Sequence, residues 1–157
     1  MNDITVHQAT IFDLESLVPL FDGYRQFYGS DSDAFAAREF LRDRLNYGES
    51  VIFLAQQNRQ SMGFVQLYPS FSSVSLTRIF WMNDLYVDEQ ARRKGVALKL
   101  MTAAVDYACA VGAEKISLAI GVTNKLGQEL YGSTGWELDE QFLSYHFVVP
   151  QQVQVQG

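Results

Sequence analysis

The chain has 157 residues, 48% apolar and 19% charged, with a formal net charge of −6. That length suits one buried core, and the composition excludes a disordered chain. No apolar run reaches the ~18 residues of a membrane-spanning helix. An acidic chain gains no counterion release on DNA or RNA, so nucleic acid is not an expected partner. One cysteine, Cys109, excludes an intrachain disulfide framework and a cysteine-based zinc site. Met1-Asn2-Asp3 lacks a basic start with an apolar stretch behind it, so a cytoplasmic location is expected.

In chain order, Ile4–Gln8 alternates as a short strand. Thr10 with Asp13 resembles a capping box, and Leu14, Leu17, Val18 and Phe21 set a helical apolar stripe running to about Tyr28, with Gly23 as its weak point. Gly29–Asp33 is a polar break. A second helix carrying Phe35, Phe40, Leu41 and Leu45 ends near Gly48. Val51–Ala55 and Met62–Tyr68 read as strands around a turn at Gln56–Gln60, and Pro69–Ser73 as a loop. Ile79–Val87 is a long strand, Gly95–Val111 an alanine-rich helix and Lys115–Ile120 a strand. Asn124–Ser133 is a short helix, and Trp136–Leu138 and Phe142–Val149 are expected to close the sheet. The expectation is an α/β (α+β) domain over residues 1–150, with a mixed sheet of about seven strands and helices on both faces, followed by a polar tail at 151–157.

The junction Val87-Asp88-Glu89-Gln90-Ala91-Arg92-Arg93-Lys94-Gly95-Val96-Ala97 joins a strand to a helix. The first N–H groups of a helix have no intrahelical acceptor and concentrate partial positive charge, which suits a diphosphate. Gly95 lets backbone come close to such an anion, Val96 and Ala97 open the helix, and Arg92, Arg93 and Lys94 add charge. Taken alone, this stretch is better described as an ordinary helix start with a solvated basic run.

Arg92, Gly95 and Ala97 after a strand ending in Tyr86-Val87 resemble the Arg-x-x-Gly-x-Gly/Ala motif of the GCN5-related N-acetyltransferases. Asn124-Lys125-Leu126-Gly127-Gln128-Glu129-Leu130-Tyr131, followed by Gly135-Trp136, resembles that family's second motif, with Gly127 for alanine and Trp136 for phenylalanine. The resemblance covers nearly the whole chain. It implies a mostly antiparallel central sheet and acetyl-CoA as co-substrate. It implies direct transfer of the acetyl group to a small-molecule amine, with no metal and a homodimeric assembly. Gly63–Tyr68 followed by Ile79–Val87 looks like the spermidine/spermine and yeast histone/polyamine-type subgroup. A non-catalytic acyl-CoA-binding module on the same fold, or a protein or peptide N-acetyltransferase, are the competing readings.

The resemblance also assigns roles. The strand edge at Leu85, Tyr86 and Val87 is expected to pair with the pantetheine amides, and a backbone N–H near Leu85 to act as oxyanion donor. Tyr131 is the candidate general acid, and Asn124 a cofactor contact or helix N-cap. Related amine acetyltransferases often carry a glutamate on the fourth strand, where this chain has Asn83, which cannot accept a proton at neutral pH. Asp84 is the neighbouring carboxylate. Adjacent strand residues face opposite sides, so Asp84 replaces residue 83 only if a bulge intervenes. A water chain without a dedicated base, or a structural role for Asp84, is the alternative. Tyr24, Tyr28 and Asp31 near the end of the first helix, with Phe71, Trp81 and Asn83 opposite, are the candidate acceptor wall. Such aromatics and carboxylates suit an ammonium group, whereas Arg25 would suit a substrate carboxylate. His7 and His146 are expected to be structural, and Cys109 a buried small hydrophobe.

Overall fold

The computed structural model describes residues 3–152 and divides into two units, one up to Ala119 and one from Ile120. The first unit is built on a sheet of five strands in the order β1-β2-β3-β4-β5. These are β1 (Thr5–Gln8), β2 (Val51–Gln57), β3 (Gln60–Ser72), β4 (Thr77–Val87) and β5 (Ile116–Ser117). The first four pair antiparallel, and β5 joins β4 in parallel at Phe80–Ile116 and Trp81–Ser117. Asn58 and Arg59, both with positive φ, make the two-residue turn between β2 and β3 whose twist matches the flanking strands.

Helices α1 (Leu14–Phe27) and α2 (Ala34–Asn46) cover one face, where Phe21 and Tyr24 pack edge-on against Phe64. Ile52 and Leu54 complete that layer with Leu17 and Leu41. The opposite face takes α3 (Val96–Ala110), where Tyr107 packs on Phe53 and Phe80. Thr10 and Asp13 form the expected capping box ahead of α1. Asp13 also meets His7 Nε2 at 3.2 Å, which gives that histidine a structural partner.

Gly23 occupies an α1 position at which a Cβ would come within 2.9 Å of the Tyr86 hydroxyl. The glycine that weakens the helix by propensity therefore makes room for a β4 side chain. Gly63 is tighter, because a Cβ there would lie 2.6 Å from the Tyr86 carbonyl oxygen.

Four expectations need correction. Among the described residues the sheet has five strands, not about seven: Trp136–Leu138 and Phe142–Val149 have no regular secondary structure. Their alternation is strand-like, but no described residue supplies the pairing a strand needs. Lys115–Ile120 contracts to Ile116–Ser117. Pro69–Ser73 is not a loop, since β3 runs through Pro69 to Ser72. Beyond Leu67, β3 pairs with β4 alone, so the missing proline N–H falls on the unpaired side. Cys109 is exposed, because the buried stripe of α3 runs Val96, Leu100, Ala104, Ala108 and leaves position 109 off the seam.

The second unit holds α4 (Lys125–Ser133), N-capped by Asn124, whose side chain accepts from the Gly127 N–H at 3.0 Å. A Cβ on Gly127 would meet the Ile120 side chain at 2.4 Å, which accounts for glycine in place of the family's alanine. Tyr131 and Trp136 pack edge-on with centroids 5.7 Å apart, and the Trp136 N–H closes on the Tyr131 carbonyl. Part of the tail at 151–157 lies outside the described residues.

Replacing Gly63 by alanine is expected to destabilise the protein by roughly 1–3 kcal/mol, because backbone rather than a mobile side chain must yield. Urea unfolding should show a lower midpoint with an unchanged slope.

Candidate active site

The site begins with one extra residue. Gln66 pairs with Asp84 but Leu67 pairs with Met82, so Asn83 has no partner across the ladder and forms a bulge. Phe80 packs against α3, and Met82 shares its face by strand alternation. Without the bulge Asp84 would continue that face. The bulge reverses the parity, so Asp84 and Tyr86 join Gln66 and Phe64 on the α1/α2 face. This meets the condition under which Asp84 could stand in for residue 83.

Asp84 is 2% exposed. It accepts a short hydrogen bond from Gln66 Nε2 and one of 2.8 Å from Asn83 Nδ2. Burial pushes its carboxyl above the usual carboxylate range, against the opposing pull of hydrogen bonds from Gln66, Asn83 and Tyr24. Burial and the Asp84 charge in turn push the Tyr24 and Tyr68 phenols well above their ordinary value, so both present O–H groups. Tyr24 Oη donates to the Asn83 carbonyl at 3.2 Å, which ties α1 to the bulge.

A cavity of about 430 Å³ opens over this cluster, within the range of small-molecule sites. Phe21, Tyr24 and Arg25 of α1, Ala36, Ala37 and Phe40 of α2, Tyr68 of β3, and Asn83 and Asp84 of β4 line it. Of the expected acceptor wall, Tyr24 and Asn83 line the cavity. Tyr28 packs against Tyr24 with centroids 5.1 Å apart and ring planes tilted by 59°, and Asp31 lies in the exposed connection between α1 and α2. Trp81 pairs with Tyr68 and shares its face. Phe71 does not belong with Trp81: it pairs with Arg78, whose guanidinium lies 4.9 Å from its ring and 5.8 Å from that of Phe80, on the α3 face. Sequence reasoning undervalued Arg25 and missed Phe21, Phe40, Tyr68 and Gln66. Gln66, a polar residue in the middle of an apolar strand, was the readable signal.

Past Trp81, β4 has no strand on its β5 side among the described residues. The Asp88 N–H donates to the Met62 carbonyl at 2.8 Å, so by alternation Leu85 and Val87 aim their N–H and C=O groups at the free edge. One of these groups is taken, because Arg92 Nε donates to the Val87 carbonyl at 3.1 Å. The Arg92 guanidinium also lies about 6 Å from the rings of Phe27 and Tyr86. Arg92 therefore turns back onto the strand end instead of extending its charge outward.

Beyond it, Arg93 (φ 66°) and Gly95 (φ 76°) are both left-handed, and Gly95 is the N-cap of α3. Left-handed residues ahead of a helix turn successive N–H groups into one concavity, a fitting cradle for an anion. Arg93, Lys94 and Gly95 are exposed there, while Val96 anchors the helix in the core. The free β4 edge at Leu85 and Val87 is followed in the chain by this turn at Arg93 and Gly95.

The chain thus combines a five-stranded sheet among the described residues, a bulged fourth strand and a basic strand-to-helix turn. The model of the acetyltransferase (GNAT) family matches residues 15–136. The chain is 43% identical over 147 residues to the uncharacterized N-acetyltransferase YhfO of Bacillus subtilis (strain 168), covering 94% of this chain and 99% of that protein. It superposes with a TM-score of 0.89 on the crystal structure of a probable acetyltransferase, at 41% identity over 94% of this chain and 99% of the other. The fold alone is shared with an aminoglycoside N-acetyltransferase in complex with CoA, at 18% identity and a TM-score of 0.76, covering 94% and 96% of the two chains. The chain belongs to the GNAT family and is an N-acetyltransferase.

The raised Asp84 pKa has a consequence for stability. The folded protein holds the Asp84 proton more tightly than the unfolded chain does, so the contribution of Asp84 to stability falls as pH rises from the ordinary carboxylate range through its folded pKa. Asp84→Asn removes this titration. The stability difference between variant and wild type should therefore move in favour of the variant with rising pH, then level off. Urea unfolding from pH 4 to 9 measures it, and a movement in the opposite direction would contradict a raised pKa.

Proposed function

We propose that this chain transfers the acetyl group of acetyl-CoA directly to the primary amine of a small molecule, with Asp84 receiving the amine proton. The observation that carries this reading is the bulge at Asn83, which sets a buried carboxylate on the wall of a small-molecule cavity, on the same strand whose edge is left open. A general base works best with a pKa drawn toward the operating pH, and burial moves Asp84 in that direction.

The fit to acetyl-CoA rests on backbone. The N–H groups around Arg93–Ala97 would hold the diphosphate, and the free groups of Leu85 and Val87 the amide arm. Bound there, acetyl-CoA supplies an activated acyl group. The amine nitrogen forms a bond to the acyl carbon as the carbon–sulfur bond breaks, and the ammonium proton passes to Asp84, directly or through a water. The Leu85 N–H donates to the carbonyl oxygen as charge builds on it. The departing thiolate takes a proton, for which Tyr131 is the candidate by its place in the second motif. A polyamine acceptor, as the subgroup likeness would have it, and a homodimer belong to this proposal only as resemblance.

Purified protein incubated with acetyl-CoA and a panel of amines should release free thiol only when an amine is present. Stabilisation by CoA without turnover of any amine would favour a non-catalytic binding module. Asp84→Asn should lower kcat by about 10²–10⁴-fold while thermal stabilisation by CoA is kept. Tyr131→Phe should likewise reduce turnover far more than CoA affinity, and equal loss of both would remove Tyr131 from the acid role.

A further inference from the structure

The acceptor cavity holds a cation as well as a carboxylate. Arg25 lines it one helical turn from Phe21, on the same α1 face. Its Nη1 is buried and has no hydrogen-bond partner. Among the described residues it forms no ion pair. Asp22, whose charge Arg25 feels, has both oxygens engaged elsewhere: Oδ2 accepts from the Ser32 hydroxyl and the Gln26 amide, and Oδ1 from the Asp33 N–H. Asp22 feels the Arg25 charge but leaves its donors unused. A guanidinium with a buried, unmet N–H is costly, and the planar fork of arginine matches a carboxylate in bidentate fashion.

Arg25 and Asp84 thus face one cavity without pairing with each other, and Phe21, Phe40, Ala36 and Ala37 supply the apolar surface of that cavity. A diamine offers nothing to Arg25 and would meet it with like charge. A molecule carrying an amine and a carboxylate satisfies both groups at once. Resting on the amine acetyltransferase reading above, we infer that the acceptor is an amine that also bears a carboxylate, of the amino-acid class, with Arg25 as its carboxylate anchor. Arg25 is then the residue that sets specificity, while Asp84 serves the chemistry.

Matched pairs that differ by the carboxylate test this: L-lysine against cadaverine, L-ornithine against putrescine, and L-phenylalanine against phenethylamine. With acetyl-CoA and wild-type protein, a carboxylate-bearing member should be used with the higher kcat/KM. Arg25→Gln should raise KM for that member by roughly 10–100-fold, the scale of a hydrogen bond to a charged group, with no such rise for its decarboxylated partner, from which a like charge has been removed. Arg25→Lys should recover part of the loss. Thermal stabilisation of Arg25→Gln by CoA serves as the control for folding. Equal or better use of the decarboxylated amines by wild-type protein, or an equal loss on both members in Arg25→Gln, overturns the inference and leaves acetyl transfer standing. Should no amine be turned over, the enzymatic reading fails instead. Calorimetric titration of the same amino acids into the CoA-saturated protein then decides: binding lost in Arg25→Gln upholds the anchor, and no binding to wild type overturns it.

Discussion

One unpaired residue in the ladder between β3 and β4 governs the chemistry available to this chain. A strand side chain has two directions, and its choice is fixed by parity. Asn83 shifts that parity by one between Met82 and Asp84. Upstream, Phe80 and Met82 pack toward α3; downstream, Asp84 and Tyr86 pack toward α1. The fold gains a buried carboxylate under the helices that wall the cavity, and Tyr24 holds the bulge by its own hydrogen bond to the Asn83 carbonyl. A carboxylate in such surroundings opposes stability at neutral pH, a cost that belongs at a functional site rather than in a structural core.

The far end of β4 depends on backbone. The parallel pairing of β5 stops at Trp81, and the next residues of β4 keep one edge unpaired. An unpaired edge inside a sheet is a liability unless something covers it, and here it leads directly into the left-handed turn at Arg93 and Gly95. Arg92 joins the two regions by bonding the Val87 carbonyl and resting near Phe27 of α1. The end of β4 and helix α1 are therefore linked by one side chain.

Much of this was legible in the sequence wherever the signal was local. The capping box at Thr10, the helix opened by Gly95 and the N-cap at Asn124 are set by residues within a turn of one another, and their positions follow directly. The requirement for a bulge at Asp84 was also readable, because it follows from strand parity and the identity of Asn83. Whether the bulge exists was not readable, since it depends on how β3 and β4 align over many residues. The same non-local pairing defeated the expected strands at Trp136–Leu138 and Phe142–Val149, where alternation alone could not supply a neighbour. It also separated Phe71 from Trp81, because β3 continues through Pro69 with a strict alternation that a loop would not impose. Arg25 gave no sequence signal beyond its charge, for its unmet Nη1 is a property of the packed helices.

The central claim is that the buried Asp84 carboxyl is the group that takes the amine proton. The pH dependence of kcat/KM for wild type and Asp84→Asn, followed by thiol release with one accepted amine, tests it most directly. An ascending limb in the wild type, centred above the ordinary carboxylate range and missing from the residual activity of the variant, is the predicted result. The same limb in both proteins would contradict it and assign the proton to another group.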